Sequence, residues 1–237
     1  MIDISNPYLP TEVAWYDTYP SNNNQNYEGC WGVYMFPSGK IAVSDRSTGL
    51  YVLKTYFNVK TIFEGYYNPL LNNMNASDTV RAYLRSASSP YSVVDSAIAV
   101  ADNSTFNCEF KFNNSYAGNY YLVLKQRNCL ETWSSSGGIN YNPMGIMSYD
   151  FTDSDTKAFG NNLAEVNNIP AKYAMYSGDI NDDGAVELSD LIYVSNDASQ
   201  FISGYVISDL TGNNLITLDD MLLVYNNASA FRATINP

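Results

Sequence analysis

The sequence predicts a mainly β chain that closes with a small α module. Two observations carry that expectation. Up to about residue 175, short apolar runs alternate with Gly, Pro, Asn and Ser turn signals roughly every dozen residues. Beyond it, a polar loop followed by a helix with an apolar stripe occurs twice, thirty residues apart.

Residues 1–54 read as strands. Segments 2–7 and 11–16 are short strands around a Pro-containing turn, and 31–36 and 40–45 flank Pro37-Ser38-Gly39 as a hairpin. Residues 49–54 make the next strand. The opening Ile2-Asp3-Ile4-Ser5-Asn6-Pro7-Tyr8-Leu9-Pro10 resembles the end of an LVIVD-type β-propeller repeat, and the hairpin with 49–54 is similar to a last blade. A propeller needs at least about four blades. The resemblance therefore implies the C-terminal piece of a longer exported protein, which also accounts for a start without the charged, apolar pattern of a signal peptide. The alternative is that 1–54 supplies the first strands of the next domain.

Residues 55–175 predict a β-sandwich from short strands and turn signals, a unit similar to the immunoglobulin-like sandwiches of secreted bacterial proteins. Segment 57–67 alternates as one half-buried strand, 68–77 is a loop, and 79–85, 93–100 and 105–112 are further strands. A turn-rich connector at 113–119 leads to 120–125, the clearest buried strand; 134–138 is a Ser/Gly loop and 147–151 a strand. Tyr66, Tyr67, Tyr120, Tyr121 and Trp133 suit core or cross-strand pairs better than a sugar-stacking platform. Asp150, Asp153 and Asp155 suit a solvated acidic turn better than a metal site. Residues 173–177 are a short connector, so the last module is expected to dock directly on the sandwich.

Composition narrows the function. With 46% hydrophobic residues, 237 residues can build packed cores. A net charge of −12 and the absence of any basic run argue against nucleic acid as a partner. No apolar stretch approaches 18 residues, so membrane insertion is not expected. The chain has no histidine, which removes the commonest general base; no Ser-His-Asp or Cys-His site can be built, and an enzyme is not expected. Cys108 and Cys129 are candidates for one disulfide, leaving Cys30 alone.

Residues 176–237 carry the chemistry. Asp179, Asn181, Asp183 and Asp190 stand at positions 1, 3, 5 and 12 of a loop with Gly184 at position 6. That spacing wraps hard oxygen donors round Ca2+, with the Ala185 carbonyl completing the set at position 7. Asp209, Thr211, Asn213, the Leu215 carbonyl and Asp220 align with them in a second loop, where Asn214 replaces the glycine. Asn tolerates the left-handed conformation, and fewer carboxylates predict a weaker second Ca2+ site. The following helices carry Leu188, Leu191, Ile192 and Val194 in one and Leu218, Met221, Leu222 and Val224 in the other, stripes expected to pack on each other.

Two such loop–helix repeats in about sixty residues resemble the dockerin family, in particular the dockerin-like C-terminal module of secreted multidomain bacterial proteins. The resemblance implies a calcium-folded module on a non-catalytic, extracellular or cell-surface protein. It also implies a protein partner for attachment or assembly, with a cohesin-like partner possible; self-association comes instead from strand edges that 1–54 would leave unpaired. Two other readings stay open: a subunit of an extracellular polymer built by β-strand addition, and an accessory fragment of a secreted enzyme.

Overall fold

In the computed structural model, which describes residues 2–3, 7–12, 15–21, 28–36 and 39–237, strand β1 (Ile2–Asp3) pairs antiparallel with β2 (Thr11–Glu12). Strand β2 is shorter than the expected 11–16, since Trp15 and Tyr16 lie outside regular structure. Residues 4–6 of the propeller-like motif and Pro37-Ser38 of the hairpin turn fall outside the described residues.

A three-stranded antiparallel sheet follows, made of β3 (Cys30–Met35), β4 (Lys40–Asp45) and β5 (Gly49–Lys54). Its register aligns Tyr34, Ala42 and Val52 on one face, next to Leu50 opposite Ser44. Tyr34, Leu50 and Val52 are all exposed. Gly39, at φ +76°, lies so close to the Pro143 carbonyl that no side chain fits there. Thr55 donates to the same carbonyl at 3.2 Å, which ties the end of this sheet to the next unit.

The sandwich has two sheets. In one, β10 (Val93–Ala101), β9 (Asp78–Ser86), β12 (Gly118–Lys125) and β13 (Thr132–Trp133) are neighbours in that order, and β14 (Ile139–Tyr141) also pairs with β12. In the other, β6 (Phe57–Lys60) lies between antiparallel β11 (Asn107–Phe110) and parallel β15 (Met147–Asp150). The alternation in β9 shows the cause: Val80, Ala82 and Leu84 face the core, whereas Thr79 and Arg81 face out. Phe57, Val59, Phe110, Leu122 and Leu124 fill the space between the sheets.

Strand β12 reads as an unbroken apolar run because both its faces are covered. Leu122 and Leu124 enter the main core, while Tyr121 and Val123 join Trp133 in a second cluster on the outer face. Tyr66, Tyr67, Tyr121 and Trp133 are buried and offer no stacking platform. The Tyr121 and Trp133 rings meet edge to face at 5.7 Å.

Several expectations need correction. The single strand over 57–67 is broken: β6 ends at Lys60, a 3₁₀ turn covers Glu64–Tyr66, and β7 (Tyr67–Asn68) pairs with β8 (Asn73–Met74) inside the expected loop. Ile62, Phe63 and Tyr66 are all buried, and an alternating strand would have sent one of them to solvent. Strands β13 and β14 and the hairpin of β16 (Ala164–Asn168) and β17 (Ala171–Ala174) went unanticipated. Cys108 and Cys129 are free and buried, and burial pushes both thiols up to about 12. The acids expected in a solvated turn are in one: Asp150 accepts from the Thr152 amide and hydroxyl, and Asp153 lies 3.9 Å from Lys157.

Helices α1 (Leu188–Ser199) and α2 (Leu218–Ser229) contact each other, but only part of each stripe is inside. Val194 and Val224 are fully buried, Leu191 and Met221 partly so, and Leu188, Ile192, Leu218 and Leu222 are exposed. Ile180, Val186, Leu210 and Ile216, two from each loop, occupy the space those side chains were expected to fill. Leu130 and Ala164 of the sandwich belong to the same cluster, with Tyr176 of the connector, so the module packs directly on the sandwich.

Candidate metal centre

Each loop is organised by two buried carboxylates. Asp179 accepts from the Asp183 and Gly184 amides, both at 3.1 Å. Asp190, at the third position of α1, accepts from Ile180 at 2.8 Å, Asn181 at 3.2 Å and Glu187 at 2.9 Å. The Glu187 contact is half of a capping box, so one carboxylate both closes the loop and starts the helix. The second loop repeats this bond for bond. Asp209 accepts from Asn213 and Asn214, and Asp220 accepts from Leu210, Thr211 and Thr217.

Backbone conformation repeats too. Positions 4 and 6 are left-handed in both loops: Asp182 at φ 61° and Gly184 at 88°, Gly212 at 69° and Asn214 at 66°. Asn214 thus adopts the conformation its predecessor glycine has, as its side chain allows. Each loop is also paired with the tail of the other repeat. Ala185 bridges to Ala233 and Leu215 to Ser203, a two-fold exchange.

The remaining sequence-derived donors behave unequally. Asp183 and Asn213 each accept from the amide two residues on, at 3.0 and 2.8 Å. Asn181 donates to Asp183 at 2.8 Å, and the Thr211 hydroxyl approaches Asp209 at 3.5 Å. Among the described residues, no three His, Cys, Asp or Glu side chains gather into one metal-holding group. The buried carboxylates in each loop number two; the other donors are amides, a hydroxyl, main-chain carbonyls and, in the first loop, the turned-out Asp183.

Electrostatics single out the loops. Burial pushes Asp179 up to about 6, two backbone N–H bonds oppose the rise, and the charges of Asp190 and Asp182 add to it. Asp209 is raised in the same way, chiefly by burial and then by Asp220, against the Asn214 and Asn213 amides. Carboxylates in water-poor pairs are costly unless a cation joins them. The donor set is all oxygen, the loops curl, and among the described residues no ammonium or guanidinium bonds to either pair of carboxylates, although Arg127 reaches the Asp209 carbonyl at 3.4 Å and its charge opposes the Asp209 rise. These features fit a hard divalent ion such as Ca2+.

The sandwich supplies contacts to the helical module that no local sequence pattern marks. Asp78, buried, accepts from Tyr66 at 2.8 Å, Gln126 at 2.9 Å, Arg127 at 3.0 Å and Tyr205 at 2.6 Å. Arg127 stacks over the Tyr205 ring at 4.0 Å and donates to the Val206 carbonyl. Glu64 accepts from Asn227 of α2 at 2.6 Å and from the Ser177 amide at 3.1 Å. Burial raises the Glu64 pKa, with those two donors opposing.

A raised carboxylate pKa stabilises the fold most below the unfolded value, and that stability is lost as pH rises through the folded value. Glu64→Gln keeps an acceptor for Asn227 and removes the loss. In urea unfolding at fixed calcium, the variant's stability relative to wild type should improve from pH 4 to pH 7. A relative stability that stays flat or falls over that interval contradicts the assignment.

Around the helices, a groove of about 580 Å³ is lined by Val186, Leu188, Leu191, Tyr225, Ala228 and Phe231 among others. Phe201 and Phe231 end the two helices in matching left-handed positions, at φ 54° each, and both are exposed.

No protein-family model matches the chain, and no curated protein matches it. Among the solved structures similar to it are an N-terminal and a C-terminal interface mutant of a type II cohesin–X-dockerin complex from Acetivibrio cellulolyticus. Each is 15% identical over 75% of this chain, covers 97% and 99% of its own chain, and has a TM-score of 0.40 and 0.42 respectively.

Proposed function

We propose that the chain is a non-catalytic, calcium-binding modular protein of the extracellular or cell-surface space, serving attachment or assembly, with calcium folding its C-terminal module. The observation that carries this is the duplicated pair of buried carboxylates, Asp179 with Asp190 and Asp209 with Asp220, each in the same hydrogen-bond frame. Asp179, Asn181, Asp183, the Ala185 carbonyl and Asp190 would hold one Ca2+. Asp209, Thr211, Asn213, the Leu215 carbonyl and Asp220 would hold a second, more weakly. The ion supplies charge neutralisation, and its binding energy becomes folding energy.

The partner in this reading is a protein with an apolar docking face. Leu188 and Ile192 of one repeat and Leu218 and Leu222 of the other are exposed at equivalent positions. The dockerin resemblance favours a cohesin-like partner. A second reading, a polymer subunit joined to a second copy by strand addition, is favoured by the exposed Tyr34, Leu50 and Val52 on the sheet of β3–β5. Neither β3 nor β5 has an outer strand partner among the described residues, and such edges template pairing.

Thermal melts with calcium and with EGTA, run beside size-exclusion chromatography, test both readings. Calcium should raise the melting temperature, and at 100 times Kd linkage gives about 2.7 kcal/mol per site. A melting curve unmoved by EGTA sinks the calcium reading. Monomeric elution at high concentration sinks the polymer.

A further inference from the structure

The two loops differ in how they meet the sandwich. In the second loop, the Asp209 carbonyl accepts from Asn128 at 3.0 Å and Arg127 at 3.4 Å, and the Thr211 carbonyl accepts from Asn75 at 2.8 Å. Just before it, the Ile207 carbonyl accepts from Asn128 at 2.9 Å. Gly212 lies against the Tyr66 ring, where a Cβ would stand 2.9 Å away. The corresponding carbonyls of the first loop, those of Asp179 and Asn181, receive no sandwich side chain among the described residues. Just before that loop, the Ser177 amide donates to Glu64 at 3.1 Å and the Gly178 amide to the Asn128 carbonyl at 2.7 Å, but within the loop the side-chain link to the sandwich is the part-exposed ion pair of Asp182 with Lys125 at 2.6 Å, a kind of contact that contributes little.

The better-held loop is the one with the poorer ligands. Its carboxylates are Asp209 and Asp220, against Asp179, Asp183 and Asp190 in the first. The guanidinium of Arg127 would oppose a dication by itself, but Asp78 neutralises it at 3.0 Å.

We propose that the second loop is a composite site, its main chain held in ligating shape by Asn75, Arg127 and Asn128 of the β-sandwich; this rests on the calcium reading above. Preorganisation removes part of the ordering cost that binding otherwise meets. The sandwich therefore sets the affinity of the second site, while the first depends on its own carboxylates. Asn75, Arg127 and Asn128 are positioning residues: they touch loop carbonyls, not the ion.

The test uses the full chain and Ca2+ itself, followed by calorimetric titration. Asp179→Asn isolates the second site and Asp209→Asn isolates the first. Asn75 is exposed, so Asn75→Ala leaves the fold intact, which circular dichroism checks. In the Asp179→Asn background, Asn75→Ala should weaken binding roughly 3- to 10-fold, the worth of one hydrogen bond. In the Asp209→Asn background it should change binding by less than about 2-fold.

A second readout needs no ion. In calcium-free protein, amide exchange at Asn213 and Asn214 should accelerate in Asn75→Ala, and exchange at Asp183 and Gly184 should not. Equal affinity at the second site with or without Asn75, or an equal loss at both sites, overturns the proposal. If neither loop of the parent takes up Ca2+, the calcium reading itself is overturned, and the composite site goes with it.

Discussion

Asp190→Ala should lower the melting temperature by on the order of 10 °C, and should do so in EGTA as well as in calcium. Three amides lose their acceptor at once: Ile180, Asn181 and Glu187. Asp190 is fully buried, so water replaces it poorly. One orphaned buried donor costs about 1–3 kcal/mol, and the lost helix cap is part of the same change. A total near 3–5 kcal/mol follows. The calcium-dependent rise in melting temperature should shrink as well, because the same carboxylate closes the loop. Differential scanning calorimetry of the variant in both conditions decides the matter. A loss confined to the calcium-loaded protein would mean that Asp190 is a ligand only; an equal drop in both conditions would mean that it is a cap only.

Gly65→Ala should separate the module from the sandwich. A Cβ at Gly65 would stand 2.1 Å from the Leu210 carbonyl and 2.5 Å from a Leu223 methyl. The first of these is main chain, so no rotamer change relieves it. Overpacking of this kind costs about 1–3 kcal/mol, and a main-chain clash puts it at the upper end. The expected result is an unfolding curve in two steps, with loss of protection at the Asn128 and Asn75 contacts to the second loop. One sharp transition at the wild-type temperature would show that the packing at Gly65 is looser than its geometry.

The conformation of the two loops was legible from sequence because it is set locally. Twelve consecutive residues set the donors and the left-handed turns, and Asp179, Gly184, Asp190 and their partners thirty residues on fall where spacing puts them. The strands around Val80, Leu84 and Leu122 were legible for the same reason, a two-residue period against one core. What escaped was non-local. Nothing near Asn75 marks it as a donor to Thr211, 136 residues away, and nothing near Arg127 marks the Val206 carbonyl. The 3₁₀ turn at Glu64–Tyr66 lies where Leu210 and Leu223 of the helical module approach Gly65, neighbours absent from any local window. The helix stripes were half right: Val194 and Val224 went inside, while the loops' own aliphatics took the room meant for Leu188 and Leu218.

The exchange of tails between the repeats has a mechanical side. Thr234 donates to the Gly184 carbonyl and Val186 donates to that of Arg232, both at 2.8 Å, while Asn162 of the sandwich side holds the Ala233 carbonyl at 2.9 Å. The last residues thus return to the place where the module begins. Tension applied at Pro237 and resisted at the sandwich is carried first by this short clasp of strand-like bonds.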